Sequence, residues 1–422
     1  MSFTQEAYVG FFLAVRDIKR SNPWTTLLIM LVIGLTFFNM LFIGGLLFGI
    51  ADGLFGAYKL YYSGNILVVP ATNKNDIPLA NSVVSVAKNM PQFRAVSVRF
   101  VDPALLEYNY RNKVRLSDFA ESANGQIVGI DPVAEDKTSH LSSVVVAGSY
   151  LSPHDADAIL VGSTLMQKYA TIRNAANTVG SRVLKNADIG SRVRLTVNGV
   201  QKEVVIKGVI TTNVPTIDSR IYMVDSQLRA LTNNTILSAS EIAISLQPGA
   251  SEKLAKDYLI KNLRSNSDIV VQTSDESLPA GIASELQVFT KLEDLIGGIA
   301  VIVSSVTIFI VIYVNAVTRR KFIGILKGIG ISSVAIEISY VFQALFYALL
   351  GTTVATILIM GLLVPYYQLH PFSIAGIPGT LAITMNDIMP RAIILTVASL
   401  ISGFIPAWLV TKQNTLDAIL GR

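Results

Sequence analysis

The sequence predicts an α-helical membrane protein with four transmembrane helices, arranged one plus three, and a large α/β domain carrying a β-rich insert. Two observations predict it. Four long uncharged apolar runs, 24–51, 295–317, 338–369 and 392–411, each hold about the 20 residues a helix needs to cross a bilayer. Between the first and second lies the polar part: of the chain's 34 Lys and Arg and 29 Asp and Glu, 46 stand in 52–291. The chain as a whole is 51% hydrophobic with a mean hydropathy of +0.51, high for a soluble protein.

The first run is too long for a signal-peptide core, and 49–52 (GIAD) makes a poor cleavage site, so it reads as a retained helix. Orientation follows from Lys and Arg in the short flanks. Arg16, Lys19 and Arg20 precede the first run; Arg319, Arg320, Lys321 and Lys327 follow the second; Lys412 and Arg422 follow the fourth. The connector 370–390 holds no Lys or Arg. Both termini are therefore expected in the cytoplasm and the 52–288 domain outside it. Residues 8–20 put Phe11, Phe12, Val15 and Ile18 on one helical face and most of the charge on the other. That pattern suits a helix lying at the interface, or an ordinary flank. Pro23 then sits well at a helix start, with Trp24 at headgroup level.

Composition closes off several kinds of chemistry. There is no cysteine, hence no disulfide, thiolate metal site or Cys nucleophile. The net charge of +5 comes with no basic tail or dense Lys/Arg stripe, which argues against nucleic acid. No G-x-x-x-x-G-K-[ST] loop occurs, so the chain has no phosphate loop for ATP; nor does a G-x-S-x-G elbow. His140, His154 and His370 lack zinc-ligand spacing, and His154 with Asp155 and Asp157 reads as a solvated loop. The apolar runs carry no charged residue, unlike an ion pump or proton-coupled carrier. Asn39, Asn315 and Gln343 remain as polar groups there, for helix packing or a path.

Within the polar block, 65–70 (NILVVP), 95–101 and 105–110 read as strands and 79–90 as a helix. Residues 125–235 are strand-rich, with one helix expected at 163–171. Then 241–246 and 268–273 read as strands around an amphipathic helix, a second β-α-β unit. The expected layout is an α/β subdomain carrying a second, β-rich one inserted at about 125–235. Helical spacing of Ile282, Leu286, Phe289, Leu292 and Leu295 starts the second membrane helix well before its apolar run.

The segment 319–341 (RRKFIGILKGIGISSVAIEISYV) is the most telling. A basic cluster ends a span; a short apolar helix punctuated by Gly324, Gly328 and Gly330 follows; Ser332 and Ser333 cap the next helix. Such a helix can dock into a partner's groove through Ile323, Leu326 and Ile329, or form a plain hairpin touching anionic lipid. Its core, Ile323-Gly324-Ile325-Leu326-Lys327-Gly328-Ile329-Gly330, resembles the coupling helix of the MacB/LolC/FtsX-type ABC transporter permeases, the type VII superfamily. Phe322 stands where those permeases usually have Glu. Residues 14–18 with Ser21, 148–152, 159–162, 189–191, 221–223 and the closing 406–420 resemble further pieces of that family, with Asn414-Thr415 replacing an Asp-Pro.

The resemblance implies a permease subunit in five parts. They are an entry helix 1–23, a first span 24–51, a MacB-like outer domain 52–288, an FtsX-like domain 289–422 with spans near 295–317, 333–365 and 390–411, and a coupling helix 319–331. It implies a bacterial inner membrane, a cytoplasmic ABC ATPase dimer as partner, and a second permease copy forming a homodimer or heterodimer. Arg319, Arg320, Lys321 and Phe322 through Gly330 would face the ATPase. No cofactor is expected in this chain, since ATP and magnesium would sit in the ATPase. Membrane lipid, and an extracytoplasmic adaptor or substrate protein, complete the implied partners. The chain itself would be non-catalytic, passing ATP-driven motion outward to export or extract a substrate. The alternative is an FtsX-like signalling subunit regulating an outer partner such as a cell-wall hydrolase. A membrane-anchored enzyme finds no nucleophile–base arrangement in its favour.

Overall fold

A computed structural model describes residues 3–21, 23–72, 74–78, 80–111, 121–170, 182–234, 238–263, 268–374 and 377–412. The closing motif beyond Lys412 lies outside them. The chain divides into two compact units. One comprises 1–52, 285–372 and 379–422; the other comprises 53–284 with 373–378.

The first unit is helical. Helix α1 (Phe3–Arg20) precedes α2 (Pro23–Tyr58), and Pro23 occupies the first helical position, where its missing N–H costs nothing. Helix α7 (Ala280–Thr318) enters from the other unit as one uninterrupted 39-residue helix, so the second membrane helix does start well ahead of its apolar run. After α8 (Arg320–Gly328) come α9 (Ser333–Leu358), a π-helical turn, α10 (Val364–Leu369) and α11 (Met385–Thr411). Among the described residues, four helices are long and apolar enough to cross a membrane: 26–63, 280–318, 333–369 and 385–411. Their inward faces share a core built on Ile33, Phe37, Ile312, Tyr340, Ala344 and Tyr347. Outward, α7 shows Leu295, Ile299, Ile302, Val306 and Ile310, every third or fourth residue, the stripe a lipid-facing helix needs.

Small residues set a close crossing. A Cβ on Gly34 of α2 would lie 3.3 Å from the Gly351 carbonyl oxygen of α9, and one on Gly351 would lie 3.1 Å from the Gly34 nitrogen. Only two glycines let these backbones touch, and in lipid such packing replaces the absent hydrophobic drive. Gly10 of α1 likewise meets Ile338, while Phe11 stacks edge-on against Phe342 at 5.4 Å. Gln343 is buried and donates toward Asp17 and Ser339, a packing role. Although the apolar runs lack charge, the helices bearing them do not: Arg391 of α11 pairs with Glu293 of α7 beside Gly44.

The second unit is built on one ten-stranded sheet. Strands β1 (Ile66–Pro70), β2 (Phe93–Tyr108), β9 (Glu241–Leu246) and β10 (Ile269–Thr273) run in the order β10-β1-β9-β2, all neighbours antiparallel. Helices α3 (Ala80–Lys88) and α6 (Glu252–Asn262) bridge β1 to β2 and β9 to β10. The two β-α-β units therefore interleave, each strand pair separated by one strand of the other, which is the ferredoxin-like arrangement. Val83, Ala87, Ala255 and Leu259 of the helices cover Ile66, Val68, Ile242 and Ile244 of the sheet.

Residues between β2 and β9 form the insert. Strands β3 (Glu121–Ile130), β5 (Ala158–Gly162), β6 (Arg192–Val197), β7 (Val200–Ile210) and β8 (Arg220–Val224) join the far half of β2. The pairings β2–β3, β3–β8, β8–β5, β5–β7, β7–β6 and β6–β2 close a ring. The insert is thus a six-stranded barrel, with β4 (Val145–Gly148) added outside on β7. Closure removes the exposed edges an open sheet would leave. On β6, Val193, Leu195 and Val197 point in while Arg192, Arg194 and Thr196 alternate outward. Asn198 and Gly199, at φ 49° and 81°, make the tight turn into β7 that a two-residue hairpin requires.

Two expectations are corrected here. Residues 95–101 and 105–108 belong to one 16-residue strand, not two, and 109–110 lie beyond its end. Pro103 falls between the last β9 pair, Arg99↔Glu241, and the first β6 pair, Ala104↔Val197, where that edge of β2 has no ladder partner. Strand β2 thus belongs both to the α/β part and to the insert. Finally, 163–171 is no helix. It forms two short 3-10 turns, Ser163–Leu165 and Gln167–Tyr169, with Leu165 and Met166 plugged into the barrel.

Candidate functional site

The segment expected to couple is a distinct helix in the first unit. Helix α7 stops at Thr318; the chain bends at Arg319, and α8 runs nine residues from Arg320 to Gly328. Its end is fixed by Gly330 at φ +98°, with Ile331 N–H donating to the Leu326 carbonyl and Gly330 N–H to the Lys327 carbonyl, both at 3.0 Å. This double bond pattern is the Schellman ending, for which glycine is the low-cost residue. The next helix starts at once, because the Ser332 hydroxyl accepts the Ala335 N–H at 3.2 Å.

Polar contacts tie α8 to its neighbours. Lys327 Nζ donates to the Thr411 carbonyl at 2.9 Å, putting a cation on the negative end of α11. Thr411 in turn donates to Glu337 Oε1 at 2.5 Å. At the start of the segment, Arg319 pairs with Asp17 of α1 at 3.0 Å. Burial pushes the Asp17 carboxyl above its usual range, with Arg319 pulling in the opposite direction.

The helix thereby gains an inner and an outer face. Ile323, 3% exposed, and Gly324 are buried, and Leu326 packs on the same core. Phe322, Ile325 and Ile329 are 50%, 52% and 71% exposed. Of the three anchors expected from sequence, only Ile329 faces outward; Ile323 and Leu326 hold the hairpin together. The outward stripe is Phe322, Ile325 and Ile329, with exposed Lys321 beside it. Helical spacing alone fits either stripe, and only the packing of α8 on its own bundle separates them. Arg319 and Arg320 are half-buried, and Gly328 and Gly330 are exposed.

The second unit holds a charged cluster that the sequence did not reveal. Helix α2 ends in a π-helical turn, Lys59–Ser63. The ring of Tyr62 from that turn lies between two guanidinium groups, Arg99 of β2 at 4.9 Å and Arg220 of β8 at 4.6 Å. Arg99 grips Glu135 of α4 (Pro132–Ser139) with two hydrogen bonds, 2.9 and 2.6 Å, and donates to the Tyr62 carbonyl at 2.8 Å. Ser97 and Ser139 donate the remaining bonds to Glu135, each at 2.5 Å. Arg220 grips Glu241 of β9 at 3.0 and 3.2 Å, and Tyr62 Oη donates to Glu241 at 2.5 Å. Arg99 and Glu135 are 1% and 0% exposed. These residues lie as far apart as positions 62 and 241, so no local pattern marks them. The only cue was charge at inward positions of strands.

Burial alone would raise both carboxyls, but Arg220 and Arg99 hold Glu241 at about 2, and Arg99 holds Glu135 below its usual range. Their folded values lie below the unfolded ones. Their contribution to stability is therefore complete above about pH 4.5, the ordinary glutamate value, and fades as pH falls toward about 2. Near-ultraviolet dichroism of the buried tyrosines should stay constant from pH 7 to 5 and be lost between about pH 4.5 and 2. Loss already at pH 6 would contradict the pairing.

Among the described residues, no three His, Asp or Glu side chains converge on a metal site. His154 is exposed, and Asp155 and Asp157 pair with Lys207 and Lys202 at 2.5 Å.

The profile of the FtsX-like permease C-terminal family matches residues 295–415. No curated protein sequence matches the chain. Two solved structures resemble about half of it. The periplasmic region of MacB from Actinobacillus actinomycetemcomitans is 12% identical, with 52% of this chain and 92% of that one covered and a TM-score of 0.34. The extracellular domain of the noncanonic ABC-type transporter YknZ from Gram-positive bacteria is 12% identical, with 50% and 100% covered and a TM-score of 0.33. The match over 295–415 takes in α8 and the three long apolar helices around it, so the C-terminal part of this membrane protein is similar to FtsX-like permease domains.

Proposed function

We propose that this chain is the membrane subunit of an ABC-type transporter, moved by a separate cytoplasmic ATPase and hydrolysing nothing itself. One observation carries the reading. Within the FtsX-like domain, a short helix between two spans turns an apolar stripe away from its own bundle, beside a basic cluster. Phe322, Ile325 and Ile329 are the groove-filling anchors of helix-in-groove docking, and Lys321 meets acidic rim residues. The basic flanks put this helix in the cytoplasm and residues 53–284 outside. Two copies pair with two ATPases. Closure of the ATPases shifts a two-state equilibrium, and the outer unit passes it to a substrate met outside the membrane, for export or extraction.

The test is to co-purify the tagged full chain with an ABC ATPase from the same cell and reconstitute both in lipid nanodiscs. The chain alone should hydrolyse no ATP, the pair should, and a soluble ligand should stimulate turnover. Stimulation by an outer protein partner alone favours the signalling alternative. A chain fully functional with no ATPase bound overturns the proposal.

A further inference from the structure

A cavity of about 520 Å³ opens in the second unit, within the size range of small-molecule sites. Its walls come from the π-helical turn (Lys59), the start of β2 (Arg94), the end of α4 (Thr138 and His140) and the loop leading to Glu252 of α6. Three features set it apart from an ordinary surface hollow.

Charge comes first. Lys59 is neutralised by Glu252 at 2.6 Å, and Glu252 is further satisfied by Asn65 at 3.0 Å. Arg94 is exposed and has no hydrogen-bond or ion-pair partner among the described residues. The cavity thus lacks one anion.

Rigidity is the second feature. The turn and α4 that wall the cavity are the same two elements whose other sides enter the buried cluster, through Tyr62 and Glu135. Glu135 is further pinned by two serines, so neither wall can drift without breaking buried charge pairs. Preformed walls of this kind lower the ordering cost of binding.

Third, both walls carry uncommon backbone. The π-helical turn is a form frequent at functional sites, and His140 sits at φ 50°, a left-handed position uncommon for a residue other than glycine. The αL position of His140 ends α4 and places its ring on the cavity.

We propose that this cavity binds a phosphate group, with Arg94 as its principal ligand and Lys59 and His140 flanking it. The fork of a guanidinium matches two phosphate oxygens at once, and Lys59 and His140 line the same cavity as Arg94. The phosphate can belong to a phospholipid headgroup or be free in solution. This inference does not depend on any ATPase.

The experiment uses the full chain in phosphatidylcholine nanodiscs and isothermal titration calorimetry. The probes are inorganic phosphate and dihexanoyl-phosphatidylglycerol below its micelle concentration, with dihexanoyl-phosphatidylcholine as the control for a zwitterionic headgroup. One saturable site per chain is expected for at least one anionic probe. Arg94→Gln should weaken it at least tenfold and Arg94→Lys by less; neither should alter the fold, since Arg94 is exposed and unpaired. Binding of the phosphatidylglycerol alone assigns a lipid headgroup; binding of both assigns the phosphate itself. No saturable binding of either, or wild-type affinity in Arg94→Gln, overturns the proposal.

Discussion

Ile325→Glu, and separately Phe322→Glu, is expected to release the ATPase from this chain while leaving the chain folded. Both side chains are about half exposed on α8 and point away from the bundle, so a carboxylate there stays in water until a partner approaches. In the docked state it would be buried against an apolar groove without a counterion. Losing a central anchor typically costs about 2 kcal/mol or more, and the buried charge adds to it. The dissociation constant should therefore rise at least about 100-fold. Lys321→Gln, a rim change, should alter mainly the association rate and its salt dependence. Gly324→Glu and Ile323→Glu are poor tests, because both positions are buried against the chain's own helices and would break the hairpin first. Biolayer interferometry of each variant against the ATPase checks the expectation. Wild-type affinity and turnover in Ile325→Glu would remove the docking role from this face.

A second large effect is expected in the outer unit. Arg99→Met strips Glu135 of its bidentate partner and leaves a carboxylate that is fully buried. Removing one member of a buried pair costs about 3–5 kcal/mol, because the survivor has no water to turn to. Glu241 should suffer less, since Arg220 and Tyr62 still hold it. Arg99→Met combined with Glu135→Leu should recover much of the loss, as both charges are then gone. Tyr62→Phe keeps the ring between the guanidinium groups but removes the hydroxyl, leaving Glu241 and Arg220 each one bond short. Its cost should be about 1–2 kcal/mol. Because the chain has two units, a single unfolding free energy is not well defined. Hydrogen exchange of β2 and β9 amides in the full chain is the measurement to use. Equal protection in wild type and Arg99→Met would mean the cluster contributes nothing to the unit.

The membrane helices were legible because their signal is local and additive. Twenty apolar residues in a row leave a chain no other comfortable place, whatever the rest of it does. Punctuation was legible for a similar reason: Pro23, Ser332 and Gly330 act on backbone groups within a few residues of themselves. Most strands of the outer unit announced themselves by alternation, β6 most cleanly.

What the sequence could not supply was partnership. Residues 95–101 and 105–110 read as two strands, yet one long strand serves both the ferredoxin-like sheet and the barrel. Segment 163–171 has helical composition, but Leu165 and Met166 are needed inside the barrel, and burial outweighed local propensity. On α8, two apolar stripes share one helical spacing, and only the seat of Ile323 and Leu326 in the bundle shows which stripe is left for a partner. Sequence by itself determined where this chain meets lipid, where it meets water and where its helices begin and end, since those choices depend on each residue's own transfer energy and nearest backbone. Tertiary structure alone decided which faces are free and which charges meet, as with Tyr62, Arg99, Glu135, Arg220 and Glu241, because the energy of a buried ion depends wholly on what stands beside it in space.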